Sequence, residues 1–377
     1  MNIYLYEVHH RNFNRYVYEI ANRIIKSNSK IHVFLIKDVF INGPIKIDLN
    51  CQSQISIIPT EKLKKNVELN PPHAFICFGY RIPDLYWTYF FNSLGAKTFQ
   101  VQHGLYTDFF PKNILGYLSN FRRKAKYLYY FILIAILSKF SIKTLSSTLR
   151  KDFIFRDFEA VINEKLMSDH IFVWGEYWVN WYKQHLFYKS EKTKFSICGS
   201  FDALLLRNRN NHICDDESIA YICQTLVEDG RMTKRMFNIF LNNLEEFASL
   251  NKIKLFIKLH PRSNLNLYRK IIANPKVKLT KKFPITKRYI GHYSALLGNC
   301  FRRDSSVLIA TFPGIGHKIP KHFSDMASSI ITYRDKICLD LFSKNITSTG
   351  RDPSFYYVDT PDPYKIIAQE IINQISA

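Results

Sequence analysis

The chain has 377 residues, enough for about two domains, and at 47% hydrophobic it can build a sizeable core. Its 53 Lys and Arg against 31 Asp and Glu give a formal charge of +22; they are spread along the whole chain without a DNA- or RNA-binding motif, which excludes a nucleic-acid partner and favours an anionic membrane surface or an anionic substrate. The seven cysteines (Cys51, Cys77, Cys198, Cys214, Cys223, Cys300, Cys338) include no CxxC pair and lie partly in apolar runs, which excludes a disulfide scaffold and predicts a reduced, cytoplasmic setting.

The first residues lack the basic-then-apolar order of a signal peptide. They predict a strand over 2–6, then a helix over 12–27 and a strand over 31–36. A strand at 75–78, a helix at 84–94 and a strand at 98–102 follow. This alternation predicts a parallel sheet covered by helices. Residues 117–170 read as mostly helical. Within them, Arg122-Arg123-Lys124-Ala125-Lys126 precedes an unbroken apolar and aromatic run from Tyr127 to Leu137, with Lys139 and Lys143 beyond it. The run is shorter than the roughly 20 residues that span a bilayer. It is therefore either a helix lying on an anionic membrane face or a buried helix with a basic, solvated start.

Strands at 171–174 and 195–199 flank an aromatic helix at 176–186. A second alternating set then begins: strand 219–225, helix 233–250, strand 253–259, and a helix near 265–273. Short strands at 277–279 and 288–291 come next, then a helix at 294–299, a strand at 307–311 and a terminal helix at 362–375. No internal repeat, linker or low-complexity tract interrupts the chain. The expected architecture is α/β: Rossmann-like halves at 1–200 and 201–377, with a ligand cleft between the carboxyl ends of their strands.

Chemistry-bearing residues gather at those strand ends. Lys258-Leu259-His260-Pro261-Arg262 closes the clearest strand. Pro261 stops it and fixes the turn. The His260 imidazole can donate to a phosphate oxygen or protonate a leaving group, and Arg262 can add a phosphate contact. Glu228-Asp229-Gly230 follows another strand and offers a general base for an acceptor hydroxyl. The competing reading is a helix cap. Gly291-His292-Tyr293-Ser294 lies between a strand and a predicted helix, whose N-terminus would bind an anion. Ser294 would serve there as a phosphate ligand or as an ordinary N-cap. In the first half, Gln102-His103-Gly104 ends a strand, with Tyr106 and Asp108 close behind, and places His103 as a candidate to orient the acceptor or touch the donor phosphate. The three motifs of the second half are roughly thirty residues apart, the length of one β-α unit. There is no Asp-x-Asp, P-loop, GxGxxG or HExxH motif, so no metal or other cofactor is expected.

The acidic-acidic-Gly, His-Pro and serine motifs resemble those of the bacterial sialyltransferases and polysialyltransferases and the related Kdo transferases. Val101-Gln102-His103-Gly104 and Tyr293-Ser294 are also similar to motifs of the CDP-glycerol and CDP-ribitol polyol-phosphate transferases. The resemblance covers residues 95–110 and 219–315. It implies a GT-B fold and a CMP-activated sugar donor. It implies that Glu228 or Asp229 is the base, that His260 contacts the CMP phosphate, that Pro261 frames the cytidine and that Ser294 binds the phosphate. The sialyltransferases carry two adjacent hydroxyl residues at the last position. This chain has Ser294-Ala295, with Ser305-Ser306 further on, which leaves the sugar open.

The expectation is an inverting, metal-independent glycosyltransferase. It would move a nonulosonic acid or Kdo from a CMP-sugar to a glycan or glycolipid acceptor at the inner face of a bacterial membrane. Two alternatives stand beside it: a polyol-phosphate transferase with His103 as base, and a non-catalytic, membrane-associated assembly protein.

Overall fold

The computed structural model describes residues 1–7, 13–38, 53–79, 81–102, 104, 114–137, 164–185, 193–207, 212–301, 304–313, 321–343 and 352–376. The chain forms two compact units. One comprises Met1–His103, Arg122–Phe201 and Thr360–Ala377, the other Gly104–Phe121 and Asp202–Asp359.

The first unit is built on a parallel sheet of seven strands: β1 (Asn2–Tyr6), β2 (His32–Lys37), β3 (Ile55–Pro59), β4 (Ala74–Cys77), β5 (Lys97–Val101), β6 (His170–Val173) and β7 (Lys194–Ile197). Their order is β3-β2-β1-β4-β5-β6-β7. Strands β1, β4 and β6 are buried nearly throughout. Strands covered on both faces read as continuous apolar runs, and these do. Strand β3 escapes the sequence pattern because it is an edge strand: only Ile55 and Ile58 are buried, and it ends in a proline that an interior strand would not accept.

The chain moves outward from β1 to β3, then returns to the other side of β1 at β4. That reversal is a topological switch point, where a crevice opens at the carboxyl ends of parallel strands.

The carboxyl-terminal part of helix Ile114–Leu137, which belongs to this unit from Arg122 on, packs one face on it. Tyr130, Phe131 and Ile134 enter the core with Tyr86 and Trp87. Lys126 also turns inward: its ammonium lies 2.9 Å from Asp38, which accepts from the Tyr6 and Tyr130 hydroxyls at 2.6 and 2.9 Å. The expected buried helix thus describes one side of this element, while Tyr129, Ile132, Ile136 and Leu137 on its other side are exposed. Among the described residues no helix is long and apolar enough to cross a membrane.

The terminal helix, Pro363–Ser376, belongs to this first unit and not to the second half, where the sequence places it. Tyr364 stacks on Phe201, Asp362 pairs with Arg23 at 2.9 Å, and Thr360 donates to the Cys198 carbonyl at 2.6 Å. Periodicity shows that such a helix has an apolar face but not which core will receive it.

In the second unit, β8 (His212–Cys214) pairs with β12 (Phe283–Ile285) as a small separate ribbon. The main sheet comprises β9 (Ile219–Ile222), β10 (Leu255–Lys258), β11 (Val277–Thr280), β13 (Arg288–Gly291), β14 (Ser306–Thr311) and β15 (Ser329–Thr332). All are parallel, in the order β11-β10-β9-β13-β14-β15. The reversal recurs here, with β9 at the switch. Helix Lys234–Leu250 is set by its apolar face of Phe237, Phe240, Leu241, Leu244 and Phe247, and begins at Thr233, whose hydroxyl accepts from Met236 N. The helix expected near 265–273 is instead two short 3-10 turns, Leu265–Tyr268 and Ile271–Ala273. Asn264 opens the first by accepting from Asn266 N, and only Tyr268 and Ile271 of the two turns are buried.

Candidate functional site

Strand β9 ends at Ile222, three residues earlier than the sequence predicts. Cys223 to Gly230 is therefore a loop at the carboxyl edge of the switch strand. The register sets Ile222 abreast of Lys258 on one side and of Gly291 on the other. The acid, His-Pro and serine motifs thus leave three adjacent strands from one level. Similar spacing in sequence becomes juxtaposition because every strand is parallel.

The two carboxylates of the first motif have different surroundings. Asp229 is clamped by Arg262, whose Nη1 and Nη2 donate to Oδ1 and Oδ2 at 2.8 and 3.1 Å. Thr225 Oγ1 donates to Asp229 Oδ2 at 2.9 Å and accepts from Arg262 Nη2 at 2.7 Å. Burial alone would raise the Asp229 carboxyl, but the hydrogen bonds and charge of Arg262 outweigh it and hold it below the ordinary value. A carboxylate so engaged is a poor proton acceptor. Glu228 is exposed and accepts from Asn264 N at 2.8 Å. That bond fixes one oxygen and leaves the group at the surface. Neither residue caps the following helix, since Thr233 does. Gly230, at φ 67°, turns the loop back in the left-handed region that favours glycine.

His260 sits in a turn closed by two local bonds: its backbone N donates to Ser263 Oγ at 3.1 Å, and Ser263 N donates to its carbonyl at 2.9 Å. Its ring Nδ1 accepts from Arg262 N at 3.1 Å. A backbone N–H can only donate, so the neutral ring carries its proton on Nε2. The turn therefore presents His260 as an Nε2–H donor, the form suited to a phosphate oxygen. Pro261 is exposed beside it. Arg262, expected on phosphate, spends its guanidinium on Asp229 and Thr225.

The third motif departs most from expectation. His292 is a core residue: Nδ1 donates to the Ala310 carbonyl at 2.6 Å, and Nε2 accepts from the Tyr221 hydroxyl at 3.0 Å. Burial pushes its pKa down to about 4, against the pull of the Ala310 carbonyl. With both nitrogens occupied inside the fold, its ring cannot touch a ligand. Tyr293 is also buried, and its hydroxyl accepts from Arg231 Nη1 at 2.7 Å. Gly291 is packed so closely that a Cβ there would meet Leu297 at 2.8 Å. Ser294 Oγ accepts from Leu297 N at 3.0 Å as an N-cap. The helix it caps, Ala295–Gly298, is a single turn and supplies little dipole. The expected helix-end anion site reduces to the Ser294 hydroxyl, which still has a proton to donate.

Three residues outside the motifs hold this edge together: Gln224, whose Oε1 accepts from Tyr293 N at 3.2 Å, Thr225, and Arg231. Gln224 and Thr225 join the β9 loop to the β13 and β10 loops respectively. Their signal was position, as polar residues directly after a buried apolar strand. Ser305 and Ser306 lie at the amino end of β14, the opposite end of the sheet from the motifs. His103, Tyr106 and Asp108 lie outside the described residues.

The first unit carries a charged cluster at its own switch point. Arg81 pairs with Glu7 at 2.9 Å and with Asp84 at 2.6 Å, and Glu7 follows β1 directly. These residues lie outside the sequence motifs.

No protein-family model matches the chain, and no curated protein sequence matches it. Among solved structures, it is similar to the UDP-GlcNAc 2-epimerase of Methanocaldococcus jannaschii, with 12% identity over 99% of both chains and a TM-score of 0.51. The complex of that organism's enzyme with UDP-GlcNAc and UDP gives 11% identity, 99% coverage of both and a TM-score of 0.50. The glycotransferase of kitacinnamycin gives 10% identity, 99% of both and 0.50. At such identities the likeness concerns the fold: two parallel-sheet α/β domains of the GT-B type.

Proposed function

We propose that the protein is an inverting, metal-independent glycosyltransferase whose second unit binds a nucleotide-activated sugar. The observation that carries this reading is the convergence of Glu228, His260 and Ser294 on the carboxyl edge of three adjacent parallel strands at a switch point. That is a ligand edge in sheets of this kind, in a chain whose fold is similar to that of a UDP-GlcNAc 2-epimerase and a glycotransferase. The donor is a CMP-linked nonulosonic acid or Kdo, a choice supported by the resemblance of the three motifs. The acceptor is a glycan or glycolipid at the inner face of a bacterial membrane.

In the proposed reaction Glu228 takes the proton of the acceptor hydroxyl. The hydroxyl oxygen attacks the anomeric carbon on the face opposite the leaving group while the bond to the donor phosphate breaks. The electron pair of that bond leaves with CMP. Nε2–H of His260 and the Ser294 hydroxyl donate to the phosphate as its charge grows, an electrostatic role of the kind that dominates much of catalysis. Asp229 holds Arg262, and through it the turn that orients His260.

The test is a thermal-shift screen of the purified protein with CMP, CDP, UMP and UDP. It is paired with chromatography of products from CMP-sialic acid, CMP-Kdo and UDP-GlcNAc. Stabilisation by CMP and release of CMP from one donor is the expected result. Stabilisation by UDP alone, with epimerised UDP-GlcNAc as product, would replace the reading with an epimerase. The absence of any nucleotide effect would favour a non-catalytic protein.

A further inference from the structure

We infer that the outward face of residues 125–137 of helix Ile114–Leu137 is the surface by which the protein lies on an anionic lipid bilayer. The inference rests on the membrane-facing part of the proposed function and gives it an address. The helix is held from behind: Lys126, Tyr130, Phe131 and Ile134 are all buried. Lys126 is anchored on Asp38, and the Leu137 carbonyl accepts from the Tyr89 hydroxyl at 3.1 Å. What remains outside is an apolar line. Tyr129 is 51% exposed, Ile132 46% and Ile136 67%, with Leu137 at 45% just beyond. Positions 129, 132, 133 and 136 repeat at the helical interval, and Leu133 between them is half-buried. Single exposed apolar residues need no explanation. A stripe of large ones along two turns of one rigid helix does.

Within the same helix, Arg122, Arg123 and Lys124 precede the apolar stretch in sequence. Basic residues followed by an apolar face make the composition of an interfacial helix, with the charges drawn to anionic headgroups and the apolar side chains set at the acyl boundary. Charge decides between occupants. A second copy would bring another chain of formal charge +22 to the same face. An anionic bilayer complements both the charge and the apolar line.

The test is flotation of the full chain with vesicles of phosphatidylcholine and with vesicles containing phosphatidylglycerol as well. Wild type should float with the anionic vesicles and not with the neutral ones. The double variant Ile132→Ser/Ile136→Ser and the triple variant Arg122→Glu/Arg123→Glu/Lys124→Glu should both lose flotation. Leu69→Ser, at an exposed leucine elsewhere in the first unit, should float as wild type. All variants should keep a cooperative melt and hydrolysis of a soluble donor, so a failed vesicle result is separable from a failed catalytic reading. The inference is overturned if wild type does not float, or if I132S/I136S floats undiminished. It is also overturned if wild type is a dimer in solution that I132S/I136S converts to monomer, which would assign the face to a second copy.

Discussion

Glu228 and Asp229 are adjacent in sequence and opposite in environment. Asp229 has both oxygens on Arg262 and a third bond from Thr225, so it orients its neighbours. Glu228 carries one backbone bond and is exposed, so it can accept a proton. In steady-state kinetics Glu228→Gln should lower kcat about 10²–10⁴-fold, the usual range for a lost general base, with the melting temperature unmoved. Asp229→Asn should cost about 1 kcal/mol of stability, since the pair is partly exposed, and should raise KM more than it lowers kcat. Equal losses of kcat in the two variants would defeat the division of roles. His292 gives a second prediction at this scale. Its folded pKa of about 4 lies below the ordinary 6.5. Between those values the unfolded chain takes up a proton that the folded one refuses. The stability this group supplies is complete above 6.5 and is lost as pH falls through the window, on the order of 3 kcal/mol in all. Urea unfolding across that range should show the decline, and His292→Gln should flatten it while lowering stability at neutral pH.

Helix Ile114–Leu137 shows what one residue can do to an element. The basic run before its apolar stretch reads in sequence as a solvated start, yet Lys126 is inside, bound to Asp38 with the hydroxyls of Tyr6 and Tyr130 around the same oxygen. Removing one member of a buried ion pair leaves the other charged and uncompensated. Lys126→Met should therefore destabilise the first unit by about 3–5 kcal/mol, while Lys126→Met/Asp38→Asn should recover most of that loss in the same chemical denaturation. A double variant no better than the single one would mean that the helix is held by packing alone. The central strands were legible because strands covered on both faces must be apolar throughout. Edge strands β3 and β15 were not, since each buries only part of one face. The motifs were legible as strand ends. Their orientations were not, because one residue of register separates a loop side chain from a core one. His292, one position beyond the end of β13, falls on the core side of that line.

At the scale of the whole molecule, the alternation of strands and helices revealed two α/β units but not the path of the chain between them. The order of elements carries no mark of which core a late helix will join. Pro363–Ser376 follows the second unit in sequence and completes the first, with Ile367 and Ile371 fully buried. Its companions are local to that unit: Arg23 on Asp362, Phe201 on Tyr364, and Gln374 within 2.6 Å of His170. The two units have separate sheets, so damage to this helix should be confined. Ile367→Asp/Ile371→Asp buries two carboxylates with no cation supplied for either, a cost large enough to undo the docking of the helix. Hydrogen exchange followed by mass spectrometry should then show lost protection in β1 and in helix Tyr18–Ser27, which the terminal helix packs against. Strands β9, β10 and β14 should exchange as in wild type, and nucleotide stabilisation of the second unit should persist. Loss of protection spread evenly over both sheets would show that the chain unfolds as one body, and that the terminal helix serves more than the unit it joins.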